Sequence, residues 1–291
     1  VDSLILLFQS IVAPAAYLEF GKKGYSNALT IAVYVGMLTG ALFWGFSADV
    51  IGRKWAFNIT LFICSASCIL AGAMPNWPAL AFFIALLGFG GGGNLILDTT
   101  VFLEYLPSNK QWLLTFLAAW WGLGQAVTGF IAWGFMVPAK WNCTDVETCT
   151  KANNWGWRYM LFTGGALVFV MSVLRITVVR LRETPKYLLG MGEDAKVVET
   201  FQFLATKYNR PCSLTLEKLE ACGQIQSAHG KSRFSLSETR IHFRGLFSNK
   251  KMSISTILVW LSWALIGLIY PLFYVFLPYA IPSFPISMSL G

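Results

Sequence analysis

Seven long apolar runs, six of them separated by short polar turns, set the pattern of this chain. They cover roughly residues 3–19, 27–47, 55–74, 78–101, 112–137, 158–179 and 253–279. A hydrocarbon core about 30 Å thick needs about 20 apolar residues at about 1.5 Å of helical rise each. Each run therefore predicts a membrane-spanning helix. The stretch 180–252 breaks the pattern. Within 193–208, Val197, Phe201 and Leu204 recur at i, i+4 and i+7, which predicts an amphipathic helix. Ser213 or Thr215 can cap a second short helix ending near Cys222, and 223–240, polar with Gly, Ser and Gln, reads as loop. A flexible linker is the alternative for this stretch. The predicted organisation is a six-helix transmembrane bundle over 1–180, a cytoplasmic loop with short amphipathic helices over 181–252, a seventh transmembrane helix over 253–279 and an atypical tail over 280–291.

Composition narrows the class. Of 291 residues, 56% are apolar or aromatic and only 12% are charged, with a mean hydropathy of +0.58. Soluble domains carry about 25% charged residues, so there is too little polar stock here for a water-facing skin. Disorder and an ordinary soluble enzyme are excluded, and a polytopic membrane protein remains. The first run lacks a basic n-region and an A-x-A cleavage site. The chain begins with Val just inside that run, so the true N-terminus is expected upstream.

The formal charge of +8 changes the picture only through its distribution. Arg53, Lys54, Lys110, Arg180, Arg182, Lys186, Lys196, Arg233, Arg240, Arg244, Lys250 and Lys251 fall on one side of the predicted spans, and Lys22, Lys23, Lys140 and Lys151 on the other. The richer side is expected to be cytoplasmic. The charge thus reads as topology rather than as a nucleic-acid surface. Cys143 and Cys149 fall in the predicted outer loop, where a disulfide can persist. Asn142-Cys143-Thr144 there is a glycosylation sequon. Cys64 and Cys68, at i and i+4, read as packing residues, and Cys212 and Cys222 as reduced thiols. No Cys/His spacing points to a metal, since His229 and His242 lie in a polar stretch, and no cofactor motif is found.

Three motifs carry more. The turn after the second run reads Gly45-x-x-x-Asp49-x-x-Gly52-Arg53-Lys54. Gly52 permits a turn conformation, and Asp49 and Arg53 can pair or cap helix ends. The fourth run holds Gly88, Gly90, Gly91, Gly92, Gly93 and Asn94, then Asp98, Glu104 and Pro107. Small residues at that density let helices approach closely, and Gly36, Gly40 and Gly45 predict a matching face on the second run. After the sixth run comes Glu183-Thr184-Pro185-Lys186-Tyr187-Leu188, with Pro185 expected to stop the helix.

Together the three motifs resemble the major facilitator superfamily. Glu183 to Leu188 and Trp157-Arg158 are similar to its sugar porter branch. Gly92-Gly93-Asn94 with Asp98, and the run from Glu104 to Gln111, look closest to fungal-type members related to the synaptic vesicle transporters. Departures are Lys110-Gln111 in place of Arg-Gly, and Trp120-Trp121 near where a sugar-binding Gln is often found. The antiporter motif of the fifth span is also absent. The resemblance implies an all-α major facilitator fold in the membrane, not an enzyme. It implies twelve spans, of which this chain would hold seven, and transport of a small organic solute by alternating access as proton-coupled symport or uniport. Asp49, Arg53, Glu104, Glu183 and Lys186 would form cytoplasmic ion pairs that hold the outward-open state.

Ionisable residues at membrane depth are functional candidates by default. Asp98, with Asn94 one turn above it, and Asp2 are candidates for substrate or proton coupling. Gln9, Trp120, Trp121, Gln125, Trp263, Tyr270 and Tyr274 are candidate cavity residues. Arg175 is expected to snorkel towards the interface. The expected partners are a small-molecule solute, protons and the lipid bilayer, with the plasma membrane as the expected location. A seven-helix receptor and a transport-inactive truncated fragment stand as alternatives.

Overall fold

The computed structural model of the chain describes residues 1–20, 25, 27–223 and 244–280, and for 270, 271 and 274–280 the backbone only. The described residues contain helices and no strand. They fall into two compact units, Val1–Lys231 and Ser232–Gly291. Lys22, Lys23, Arg233, Arg240, His229, His242, nearly all of the 223–240 stretch and the tail beyond Ala280 lie outside the described residues.

The first unit contains α1 (Asp2–Glu19), α2 (Ala28–Ile51), α3 (Arg53–Ala73), α4 (Trp77–Tyr105), α5 (Leu113–Leu117), α6 (Ala119–Met136) and α7 (Gly156–Leu174). A π-helical turn, Arg175–Val179, prolongs α7. Then come α8 (Pro185–Gly190), α9 (Asp194–Lys207) and α10 (Leu216–Glu220). The second unit contains α11 (Lys250–Ala280). Among the described residues, seven helical spans are long and apolar enough to cross a membrane. The fifth apolar run is broken near Ala118, whose N–H bonds the Thr115 carbonyl at 3.1 Å and tightens the turn between α5 and α6.

Glycine puts α4 at the centre of the bundle. A Cβ at Gly36 or Gly40 of α2 would run into the carbonyls of Ala85 or Phe89, and one at Gly88 or Gly92 of α4 into those of Val33 or Met37. The two helices therefore touch backbone to backbone, as small-residue seams allow. On its other sides Gly90 lies against Thr60 and Cys64 of α3, and Gly91 against Ile5 of α1. Gly45 does not extend the seam, because nothing lies within 4 Å of where its Cβ would be. Leu29, Leu61, Leu80, Ile84, Leu87, Met160 and Leu161 fill the core. Cys64 and Cys68 are buried in it, their thiols donating to the carbonyls of Leu87 and Leu161. Outward-facing Leu38, Phe82, Phe130 and Trp133 are exposed, which suits a surface whose solvent is hydrocarbon.

The polar stretch departs from expectation in two places. Pro185 does not stop α7, which has already ended at Arg180 with φ 46°. It opens α8, where Thr184 caps the helix by accepting from the Tyr187 N–H. Proline suits that position because the first N–H of a helix needs no helical acceptor. In α9, Val197 and Val198 are buried, whereas Phe201 is exposed, so the buried stripe is narrower than predicted. Thr215, not Ser213, caps α10.

Candidate functional site

Two groups of the candidate residues meet, at different depths in the first unit. The deeper one joins α1, α4 and the π-helical turn. Asn94, wholly buried, donates through Nδ2 to Asp2 at 3.1 Å and to Asp98 at 2.9 Å. Its Oδ1 accepts from Arg175 Nη1 at 3.0 Å, and Arg175 Nη2 bonds Asp98 at 3.2 Å. Arg175 also donates to the Phe57 carbonyl at 2.9 Å, and its guanidinium lies 3.7 Å from the Phe57 ring centre. One amide thus ties two carboxylates to one guanidinium. Asp2 is buried, while the Asp98 side chain is 39% exposed.

Arg175 therefore does not snorkel. A π turn shifts side chains off the helical register, and such turns recur at functional sites. Here the turn begins at Arg175, which reaches inward. Gln9 stays out of this network, because it is buried and donates to Thr30 of α2 at 2.8 Å. Trp120 is exposed, and Trp121 and Gln125 are half-buried on α6. That helix passes the Asp2 end of α1 at Gly124, beside Ser3. Trp263 belongs to α11 of the second unit, and the side chains of Tyr270 and Tyr274 lie outside the described residues.

The second group sits where α2 turns into α3. A single residue, Gly52 at φ 97°, separates the two helices. Arg53 pairs with Asp49 at 2.9 Å and with Glu104 at the end of α4. Glu183 does not join as an ion pair. Its Oε2 accepts the backbone N–H groups of Arg53 at 3.1 Å and Lys54 at 3.3 Å, and so caps the positive end of α3. A Cβ at Gly52 would stand 2.6 Å from that carboxylate, so glycine is needed there for space as well as for φ. Tyr105 holds the loop by donating to the Arg182 carbonyl at 2.9 Å. Lys54 contributes its backbone to the cap. Lys186 is exposed and makes no ion pair with a described residue, because α8 turns it outward.

At the opposite end lies a cluster that the sequence reading missed. Glu19, ending α1, takes both terminal nitrogens of Arg158 at 2.5 and 2.7 Å, and also Trp157 Nε1 at 2.9 Å. Asn154 donates to the Ala15 carbonyl at 2.9 Å beside it. Two signals were present: Trp157-Arg158, singled out by resemblance, and an acid at a helix C-terminus, which opposes the helix dipole and calls for a cation. Near this end, Cys143 and Cys149 are joined by a disulfide, with Cα atoms 5.4 Å apart. In the Asn142 sequon, Nδ2, the atom to be glycosylated, donates to the carbonyls of Phe135 at 2.8 Å and Pro138 at 2.9 Å.

A glycine-seamed membrane bundle with a charged turn between its second and third spans defines a class of polytopic membrane protein. Residues 3–291 match the Major Facilitator Superfamily, and the chain belongs to it. It is 40% identical over 278 residues to an uncharacterized MFS-type transporter of Schizosaccharomyces pombe, covering 88% of this chain and 50% of that protein. It is 38% identical to MFS siderochrome iron transporter 1 of Ceriporiopsis subvermispora, covering 97% and 55%. A more distant relative is the synaptic vesicle 2-related protein of Rattus norvegicus, 26% identical, covering 90% and 42%. The fold is similar to the xylose transporter XylE from E. coli in a partially occluded inward-open conformation, with TM-score 0.52 and 16% identity over 76% of this chain and 56% of that one. The chain spans about half the length of the curated relatives it matches. Membership makes it an integral membrane protein of a transporter family, not an enzyme, and disfavours the seven-helix receptor.

Proposed function

We propose that this chain supplies the first half of a transporter that moves a small organic solute by alternating access, with Asp98 as the coupling acid. The observation that carries the reading is the carboxylate–amide–guanidinium network at membrane depth. Charges there are expensive, and they persist where they serve a pathway. Asp98 is the member both ion-paired to Arg175 and open at its surface. A proton arriving on Asp98 removes the charge that holds Arg175 Nη2, while Asn94 keeps its own bond to Nη1. The site thus has two states that differ by one proton, and a bound solute can bias them through differential affinity. Proton-coupled symport fits this arrangement, and uniport would need no titrating acid. The similar proteins, a siderochrome iron transporter and a xylose transporter, differ too much to refine the solute class.

The test is Asp98→Asn in the full-length protein. Concentrative uptake should be lost while solute exchange across the membrane survives. Loss of both would make Asp98 part of the solute site, and normal pH-dependent accumulation would transfer the coupling role to Asp2. The Arg53 end is proposed to face the cytoplasm, with the plasma membrane as location. Cys212, an exposed free thiol on the chain after α9, should then resist an impermeant maleimide in intact cells. Its labelling there would reverse the orientation.

A further inference from the structure

Beside the loop that carries Glu183 lies a cavity of about 400 Å³ that the transport reading does not use. It is lined by Val179, the last residue of the sixth membrane-capable span, by the turn after it, by Tyr105 and by α9. Arg180, Arg182 and Lys207 line it, and no acidic residue does. Arg180 is held with φ 46°, and its Nε donates to the Thr177 carbonyl at 2.8 Å. Its terminal nitrogens make no hydrogen bond to a described residue. The Arg182 guanidinium lies 3.9 Å from the Phe203 ring centre and spends one nitrogen on Glu199, outside the cavity, at 3.0 Å. Lys207 has no ion-pair partner among the described residues. Val179 and its neighbours along the chain, Ile176 and Val178, are exposed, at 54%, 52% and 68%.

We propose that this cavity binds the phosphate of an anionic phospholipid headgroup, with the acyl chains lying along the Ile176–Val179 face of α7. Two arginines and a lysine line one cavity where a membrane-spanning helix ends. Guanidinium presents paired N–H donors that match phosphate oxygens, and basic pockets at this depth attract anionic headgroups. A free phosphate would use the cations alone. The exposed apolar residues Ile176, Val178 and Val179, the last of which lines the cavity, are the feature that only a lipid would cover. A headgroup seated there lies one residue from Glu183, the carboxylate that caps α3.

Native mass spectrometry of the full-length protein, titrated with dioleoylphosphatidylglycerol, dioleoylphosphatidylcholine or glycerol phosphate, tests this. The phosphatidylglycerol complex should be the tightest of the three. Each cation near a membrane surface contributes about fivefold in affinity, so the double variant Arg180→Gln/Lys207→Gln should bind phosphatidylglycerol roughly 30-fold more weakly. Lys207→Gln alone, on an exposed helical position, should lose about fivefold and serves if the double variant fails to fold. Lys110→Gln/Lys218→Gln removes the same charge elsewhere and should change binding less than about twofold. An equal loss in both double variants, or no preference over phosphatidylcholine, would overturn the site. Glycerol phosphate binding as tightly as phosphatidylglycerol would overturn the lipid as its source.

Discussion

The two ends of the first unit use the same kind of ion pair under opposite conditions. At the α1–α7 end, Arg158 and Glu19 are 1% and 5% exposed, joined by two short bonds, with Trp157 on the same carboxylate. At the α2–α3 turn, Arg53 divides itself between Glu104, which is largely buried, and Asp49, which is 66% exposed. The first pair joins elements of one bundle with nowhere else to go. The second leaves a carboxylate facing outward, able to exchange partners as its surroundings change. Burial separates a closed clasp from a charge cluster with one arm in the open, which we propose can switch. The resemblance touched both, through Gly45–Lys54 at the second and Trp157-Arg158 at the first, but gave Arg158 no partner.

The sharpest way to break this contrast is to truncate each arginine. Arg158→Ala strands the Glu19 charge in a buried site, a loss of about 3–5 kcal/mol. The protein should lose its monodisperse peak in detergent or melt far earlier, and an unchanged melt would refute the clasp. Arg53→Ala removes charge-assisted bonds at a partly wet site, worth about 1.5–3 kcal/mol. Surface expression should largely survive while solute transport falls. Unchanged transport kinetics would reduce the turn to a topology signal. Asp49→Ala touches only the exposed arm and should cost about 0–1 kcal/mol, shrinking further at high salt. A melting shift as large as that of Arg53→Ala would show that Asp49 is not free to exchange partners. Lys186→Ala should stay within about 0.5 kcal/mol of the parent and leave transport intact. A transport defect in Lys186→Ala would place it in the proposed gate despite its exposed position.

Much of the bundle was legible because membrane physics is one-dimensional. A run of apolar residues long enough to cross hydrocarbon must be helical, since no water is there to satisfy its backbone. The seven runs therefore became seven candidate membrane helices whatever lay beside them. The Gly36/Gly40 and Gly88/Gly92 faces were legible for a related reason, because only small residues let two helix backbones touch. Gly45 shows the limit of that reading. Its spacing continued the pattern, but whether a partner helix still lay opposite depended on how α2 and α4 cross.

The polar partnerships followed the same division. Asp98 and Asn94 were found because they share one face of one helix, four residues apart. Sequence alone thus determined the membrane class, the apolar spans, the Gly36/Gly40–Gly88/Gly92 seam, the turn at Gly52, and Asp98 and Asn94 as polar residues at membrane depth, while it left the α10 cap open between Ser213 and Thr215 and turned Arg175 the wrong way. Tertiary structure decided who meets whom: Arg175 with Asn94 and Asp98 across 81 and 77 residues, Glu183 with the start of α3 across 130, and Glu19 with Arg158 across 139. Hydrophobic length and local spacing act along the chain. A charge finds its counter-charge only after packing has fixed which helices are neighbours and how each is turned.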